Sequence, residues 1–255
     1  MLNIVIPMAG RGSRFSKVGY TLPKPLIPVH GIPMIRLVLE NLRPSVPHRF
    51  IFLCLKDHVD AYGIDKKLRS WTGNCKVLLV DTVTEGAACT VLLAKNLINN
   101  ENPLMIANSD QWIDVEIDPY LAEVERDRLD GLIMTMWADD PKWSYVRLDS
   151  RGFVIEVVEK EVVSNDATVG IYNFRHGSDF VYAAEKMISK NLRVNGEFYV
   201  APAYNELIGI GSRIKPYSIG KDQAGMYGLG IPADLEAFAS MQVSHRAAQD
   251  LRESA

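Results

Sequence analysis

Residues 7–15 read PMAGRGSRF, directly after the apolar run Leu2, Asn3, Ile4, Val5, Ile6, and LPKPL follows at 22–26. A strand that ends in two glycines and two arginines makes a loop whose backbone can approach a ligand closely, and its guanidinium groups call for an anion. Ala9, Gly10, Arg11, Gly12 and Ser13 offer successive backbone N–H groups, Arg14 adds a positive charge, and Lys24 is held between Pro23 and Pro25. Such a set can cradle a polyphosphate. Two common phosphate loops do not fit. The dinucleotide fingerprint needs a third glycine where Phe15 stands, which leaves a Rossmann oxidoreductase the weaker reading, and the Walker A loop needs Gly-Lys where the chain has Phe15-Ser16.

Working outward from this loop, NIVIP (3–7), RFIFLCL (49–55), CKVLLVD (75–81) and PLMIAN (103–108) are apolar and β-branched almost without interruption, as in strands buried on both faces of a parallel sheet. Helical patterns lie between them at 34–42, 58–71 and 86–98, with Thr84 or Glu85 placed to cap the last. The result is βαβαβαβ, a doubly wound α/β core. The second half reads differently. GLIMTMWA (131–138), SYVRLD (144–149), FVIEVVEK (153–160) and ATVGIYNF (167–174) suggest a hairpin and mixed strands, with a turn at Ser150-Arg151-Gly152, and helical patterns follow at 177–190, 200–210 and 232–252. No repeat or linker interrupts the chain, so a single domain is expected over 1–255, with a nucleotide-binding half (1–115) and an acceptor-binding half (116–255); the last residues, QDLRESA, are expected to fray.

Composition excludes several classes. With 255 residues, 47% of them apolar, the chain can bury a full core. Its 28 basic and 31 acidic residues give a formal charge of -3 without long blocks of one sign, so no nucleic-acid partner is expected. The apolar start is far shorter than the roughly 20 residues that span a bilayer, so no membrane association and a cytoplasmic location are expected. Three cysteines without a C-x-x-C, and five histidines without an i,i+4 pair, argue against disulfides and zinc.

GRGSRF followed by PKPLIPVHGIPMI resembles the signature of the nucleotidyltransferase family that includes the sugar-1-phosphate nucleotidylyltransferases. The likeness extends to NSDQW, VVEK, VGIYNF, NGEFY and YGLGIPADLE, and covers residues 1–240 or so. It implies a Rossmann-like mixed sheet of the GT-A-like kind, transfer of a nucleoside monophosphate from an NTP to a phosphorylated acceptor with release of pyrophosphate, Mg²⁺ as cofactor, and at most a homodimer. That chemistry fits what the sequence lacks. A phosphate monoester has a second pKa of about 6, so the nucleophile is ionised at neutral pH and no catalytic Ser/His/Asp set is needed. Alignment of two anions and charge stabilisation are what remain to be supplied.

By this resemblance Arg14 holds the triphosphate, Lys24 bridges the α-phosphate and the acceptor phosphate, and Arg11 adds a contact. Asp110, ending the fourth strand at the carboxyl edge where open α/β sheets bind ligands, is the magnesium ligand. Glu159, Lys160 and Glu197 contact the acceptor. The base lies against DTVTEGAACT, where Glu85 and Gly86 adjoin it and Gly86 lets the base approach the backbone. Asp81 there stands where some thymidylyltransferases carry Gln; a carboxylate can accept from the cytosine amino group, which favours CTP. Tyr145 stands where many sugar-phosphate members have Gly and would fill space that a hexose uses. Gly228 stands where the family often has an Asp for a second metal, with Asp222 or Asp234 as substitutes. In overall pattern these departures are similar to a cytidylyltransferase branch that activates small non-sugar phosphates for surface polysaccharides, the CTP:phosphoglutamine cytidylyltransferase-like branch. A UTP- or dTTP-dependent sugar-1-phosphate enzyme, a DxD glycosyltransferase reading of NSDQWID, and a non-catalytic nucleotide-sensing module stay open.

Overall fold

The computed structural model describes residues 1–253. In chain order its elements are β1 (Leu2–Met8), α1 (Ser13–Ser16), β2 (Pro28–Val29), β3 (Ile32–Pro33), α2 (Met34–Asn41), β4 (His48–Leu55), α3 (Lys56–Tyr62), α4 (Ile64–Thr72), β5 (Cys75–Val80), α5 (Ala87–Leu92), α6 (Lys95–Ile98), β6 (Leu104–Ala107), β7 (Gln111–Ile113) and α7 (Ile117–Arg126). The second half adds β8 (Gly131–Trp137), β9 (Ser144–Leu148), β10 (Val154–Glu159), β11 (Asp166–Phe174), α8 (Gly177–Ser189), α9 (Tyr204–Ile208), β12 (Ile214–Asp222), β13 (Gly225–Gly228), α10 (Pro232–Ser240) and α11 (Gln242–Glu253). Eleven of the strands form one sheet in the order β5-β4-β1-β6-β11-β8-β12-β13-β7, with the β9–β10 hairpin joined to β11. The first four sheet strands are mutually parallel, and β11 runs antiparallel to β6.

The continuous apolar strands have the expected cause. Along β1, Ile4, Ile6 and Met8 join the core under α2 and α4, while Val5 faces the opposite core under α5 and α8. A strand covered on both faces needs no polar alternation. The chain leaves β1 toward β4 and β5 on one side and returns to β6 on the other, so β1 and β6 flank a topological switch point. Loops at the carboxyl ends of these two strands face a common crevice, the place where open α/β sheets hold ligands.

Several expected helices are broken. The 58–71 pattern is two helices, because Gly63 takes a left-handed conformation (φ 59°) and ends α3. The 86–98 pattern splits at Leu93–Ala94, and α5 begins after Gly86 without a side-chain cap; Thr84 instead donates its hydroxyl to the Gly86 carbonyl at 3.0 Å. At 200–210 a short 3₁₀ turn over Ala201–Ala203 precedes α9, and extended backbone at Met241 divides 232–252 into α10 and α11. Of QDLRESA, residues 249–253 lie in α11 and Ser254 and Ala255 lie outside the described residues. The sequence reading places no strand at β2, β3, β7, β12 or β13.

Candidate active site

The loop after β1 is built on Phe15. Its ring is buried and meets Tyr20 edge-on at 5.2 Å, so the residue that breaks the dinucleotide fingerprint is the anchor of this loop. Gly12 (φ 62°) turns the chain into α1, and a Cβ there would lie 3.2 Å from Cβ of Lys24. That approach sets Lys24 against the loop. Lys24 opens a 3₁₀ turn whose Pro25 and Leu26 are buried, which leaves its side chain only χ freedom to lose. Its ammonium donates to Oδ2 of Asp110 at 2.7 Å, joining loops 86 positions apart.

Three cavities meet here. One of about 290 Å³ is lined by Ala9, Gly10, Lys24, Thr84, Gly86, Ser109 and Glu197, among others. A second, of about 190 Å³, includes Asn108, Ser144, Glu159, Lys160, Tyr172 and Tyr199. A third, of about 610 Å³, is walled by Arg14, Asp110, Gln111, Lys142, Lys160 and Asp234. Lys24 thus lies on the first cavity and its partner Asp110 on the third, while Lys160 and Asn108 are shared by the second and third.

The second cavity has a hydroxyl-rich floor. β11 shifts register between Thr168 and Tyr172, with Gly170 at φ 82°, and the hydroxyls of these two cavity-lining residues lie 3.0 Å apart. Ser144 donates to the carboxylate of Glu159, which is nearly inaccessible. Burial raises the Glu159 carboxyl above its ordinary value, with the Ser144 hydroxyl and the Lys160 ammonium 3.7 Å away pulling the other way. Lys160 itself holds φ 60°, rare for a side chain of its length, and its N–H donates to Trp143 O at 3.0 Å. The unusual backbone aims its ammonium between Glu159 and the ring of Tyr199, 5.3 Å from the ring centre.

Of the residues expected from sequence, Ala9, Gly10, Gly86, Lys24, Arg14, Asp110, Glu159 and Lys160 line these cavities. Ser13 begins α1, and Arg11 is exposed and lines none of the three. Tyr145 is corrected: it is fully buried in the core, donates to Asp140 O at 2.7 Å, and the pocket-facing residue is its neighbour Ser144. Strand alternation accounts for this, since a one-residue shift of phase turns a side chain to the other face. Glu197 lines the first cavity rather than the second. Asp81 is exposed just after β5 and lines none of the three cavities. Glu85 is not among the residues lining the first cavity and pairs with Arg193 at 3.0 Å. The glycine at 86 serves a protein contact: a Cβ there would collide with the backbone N and O of Phe198.

That contact is part of a staple. Phe198 N–H donates to Glu85 O (2.8 Å), and Ala88 N–H donates to Phe198 O (3.0 Å). The Arg193 guanidinium donates to Glu85, Asn191 and Gly196 and lies 4.3 Å from the centre of the Phe198 ring. Residues missed by sequence reasoning, among them Asn108, Gln111, Lys142, Ser144, Thr168 and Tyr199, come from neutral or unexceptional positions that only the sheet brings together.

Asp110 and Asp234 share the third cavity, and the Asp234 carboxylate lies 3.3 Å from where a Cβ at Gly228 would stand. Asp222 is drawn instead toward Lys142, at 3.5 Å. Burial raises the Asp234 carboxyl above its ordinary value, opposed by Lys142 and Arg14. Asp110 and Asp234 line this one cavity, and carboxylate oxygen is the donor type a hard divalent cation such as Mg²⁺ takes. Among the described residues, however, no cluster of three or more acidic, His or Cys side chains gathers there, and Asp110 is paired with Lys24.

Residues 4–198 match the family model described as "Nucleotidyl transferase". The chain is 26% identical over 179 residues to the bifunctional protein GlmU of Methanococcus aeolicus, covering 69% of this chain and 40% of that one. It is 28% identical over 169 residues to GlmU of Cupriavidus metallidurans, covering 65% and 35%. The chain thus spans less than half the length of these curated relatives. Among solved structures, the nucleoside-diphosphate-sugar pyrophosphorylase of Vibrio cholerae superposes with a TM-score of 0.80 at 26% identity, covering 93% of this chain and 100% of that one. The inositol-1-phosphate CTP transferase of T. maritima shares the fold, with a TM-score of 0.73 at 15% identity over 96% and 94%.

Proposed function

Since the chain belongs to the nucleotidyl transferase family, we propose that it transfers a nucleoside monophosphate from an NTP to the phosphate of a small sugar-phosphate-like acceptor and releases pyrophosphate. The observation that carries this reading is the Lys24–Asp110 ion pair at the seam between the first and third cavities. The NTP occupies the first cavity, its phosphates toward the loop 9–14. An ionised oxygen of the acceptor phosphate attacks the α-phosphorus, the α–β bridging bond breaks, and its electron pair leaves with pyrophosphate. No side chain needs to remove a proton. Lys24 and Arg14 hold the two anions together against their repulsion, and the loop N–H groups take up charge on the phosphoryl oxygens. Mg²⁺ held by Asp110 and Asp234 would supply further charge neutralisation.

The base is read by the neutral wall of Val83, Thr84, Gly86, Ala87 and Thr90. Asp81 lends CTP no support, so a preference for CTP, and a role in surface-polysaccharide precursor synthesis, rests on the overall sequence pattern. A matrix of NTPs against sugar 1-phosphates and small phosphomonoesters with Mg²⁺, read by pyrophosphate release, tests the reading. Turnover with one NTP and a phosphorylated acceptor is expected. Nucleotide binding without turnover by any acceptor would instead mark a nucleotide-sensing module.

A further inference from the structure

Gln111 follows Asp110 and opens β7, where it pairs with Gly228 of β13. It is only 6% exposed, it lines the third cavity, and its amide Nε2 has no hydrogen-bond partner among the described residues. The fold makes room for this amide. Gly170 holds φ 82°, and a Cβ there would lie 2.6 Å from Oε1 of Gln111 and would collide with the side-chain nitrogen of Asn108. Folding alone does not call for such an arrangement, because leucine would fill the same space without stranding a donor. A buried donor on the wall of a cavity that also presents Arg14, Lys142 and Lys160 matches an anionic oxygen brought by a ligand.

We propose, on the footing of the nucleotidyl transfer described above, that Gln111 is a binding residue for the acceptor, donating its side-chain amide to an oxygen of the acceptor phosphate beside Asp110. Three cations already face this cavity. A neutral amide therefore fixes the direction of the phosphate without adding charge, which lysine or arginine in its place would do.

The test compares wild type with Gln111→Leu and Gln111→Glu. Inorganic phosphate is titrated as the probe, in the presence of saturating α,β-methylene CTP or α,β-methylene UTP so that the triphosphate site is filled. Gln111→Leu is expected to keep the analogue affinity, to bind phosphate about tenfold more weakly or worse, and to melt at a higher temperature than wild type without ligand. Gln111→Glu, which opposes like charge to the phosphate, is expected to weaken phosphate further. Unchanged phosphate affinity in Gln111→Leu overturns the assignment, as does a lower melting temperature of the ligand-free variant, which marks a structural role. Loss of analogue affinity in its place moves Gln111 to the nucleotide and also overturns it. If neither analogue binds, the analogue of each other NTP is tried in turn, and a wild-type protein that binds the α,β-methylene analogue of no NTP overturns the proposed function itself.

Discussion

Single residues divide into groups that act on ligands and groups that hold the fold. Lys24 and Asp110 are partly exposed and contribute little to the core, so Lys24→Ala and Asp110→Asn should each lower turnover by orders of magnitude while thermal melting stays close to wild type. Steady-state kinetics alongside calorimetry check this, and near-normal rates in both variants would contradict the assignment. Gly86→Ala should behave in the opposite way. Its Cβ meets the Phe198 backbone, and φ is 129°, so a loss of about 2 kcal/mol or more of stability is expected in urea titration. Glu159 gives a prediction in pH. Burial raises its carboxyl above the ordinary value of 4.5, so the folded state binds the proton more tightly than the unfolded state. That contribution is fully present below 4.5 and is lost as pH rises through the higher folded value. Glu159→Gln removes it. Between about pH 4 and about pH 8 the urea midpoint should therefore fall more in wild type than in Glu159→Gln; parallel profiles would speak against a raised carboxyl.

At the scale of elements, the staple between the loop at 83–88 and the loop at 191–199 joins two cavities. The first loop contributes Thr84 and Gly86 to the first cavity, and the second contributes Glu197 to it and Tyr199 to the neighbouring one. Arg193→Ala should loosen both walls. A single exposed ion pair is worth only about 0.2–1 kcal/mol, but this guanidinium also gathers Asn191, Gly196 and Phe198. The expected result is a severalfold rise in KM for both substrates with kcat changed much less, and partial rescue by Arg193→Lys. A fall in kcat alone would place Arg193 in the chemistry instead. The sequence carried elements of this kind unevenly. The parallel strands were legible because burial on both faces leaves an unbroken apolar signature. The breaks at Gly63 and Met241 were not, because the apolar pattern continues across them while the backbone turns. β7, with only three residues, and β13, with glycine at both ends, take their extended form from sheet partners rather than from their own composition.

At the scale of the whole molecule, the fold gathers at one sheet edge what the sequence scatters. The phosphate loop and Asp110 were readable because each is a local motif at the end of a strand, and parallel pairing of β1 with β6 brings them together. The acceptor side was less readable. Tyr145 depended on the phase of a strand, Glu85 and Glu197 on which way a distant loop folds, and Gln111 on a burial that no local pattern announces. Asp81, just after the end of β5, is exposed, which its place in DTVTEGAACT does not announce. The proposed reaction is defined by the bond it makes, between the acceptor phosphate and the α-phosphorus. In a single turnover with α-³²P-labelled NTP, Mg²⁺ and the acceptor found in the substrate matrix, the label should move to the acceptor phosphate with one pyrophosphate released per transfer, and Lys24→Ala should leave it in the NTP. Label released as free nucleoside monophosphate, or transfer undiminished in Lys24→Ala, would contradict the account.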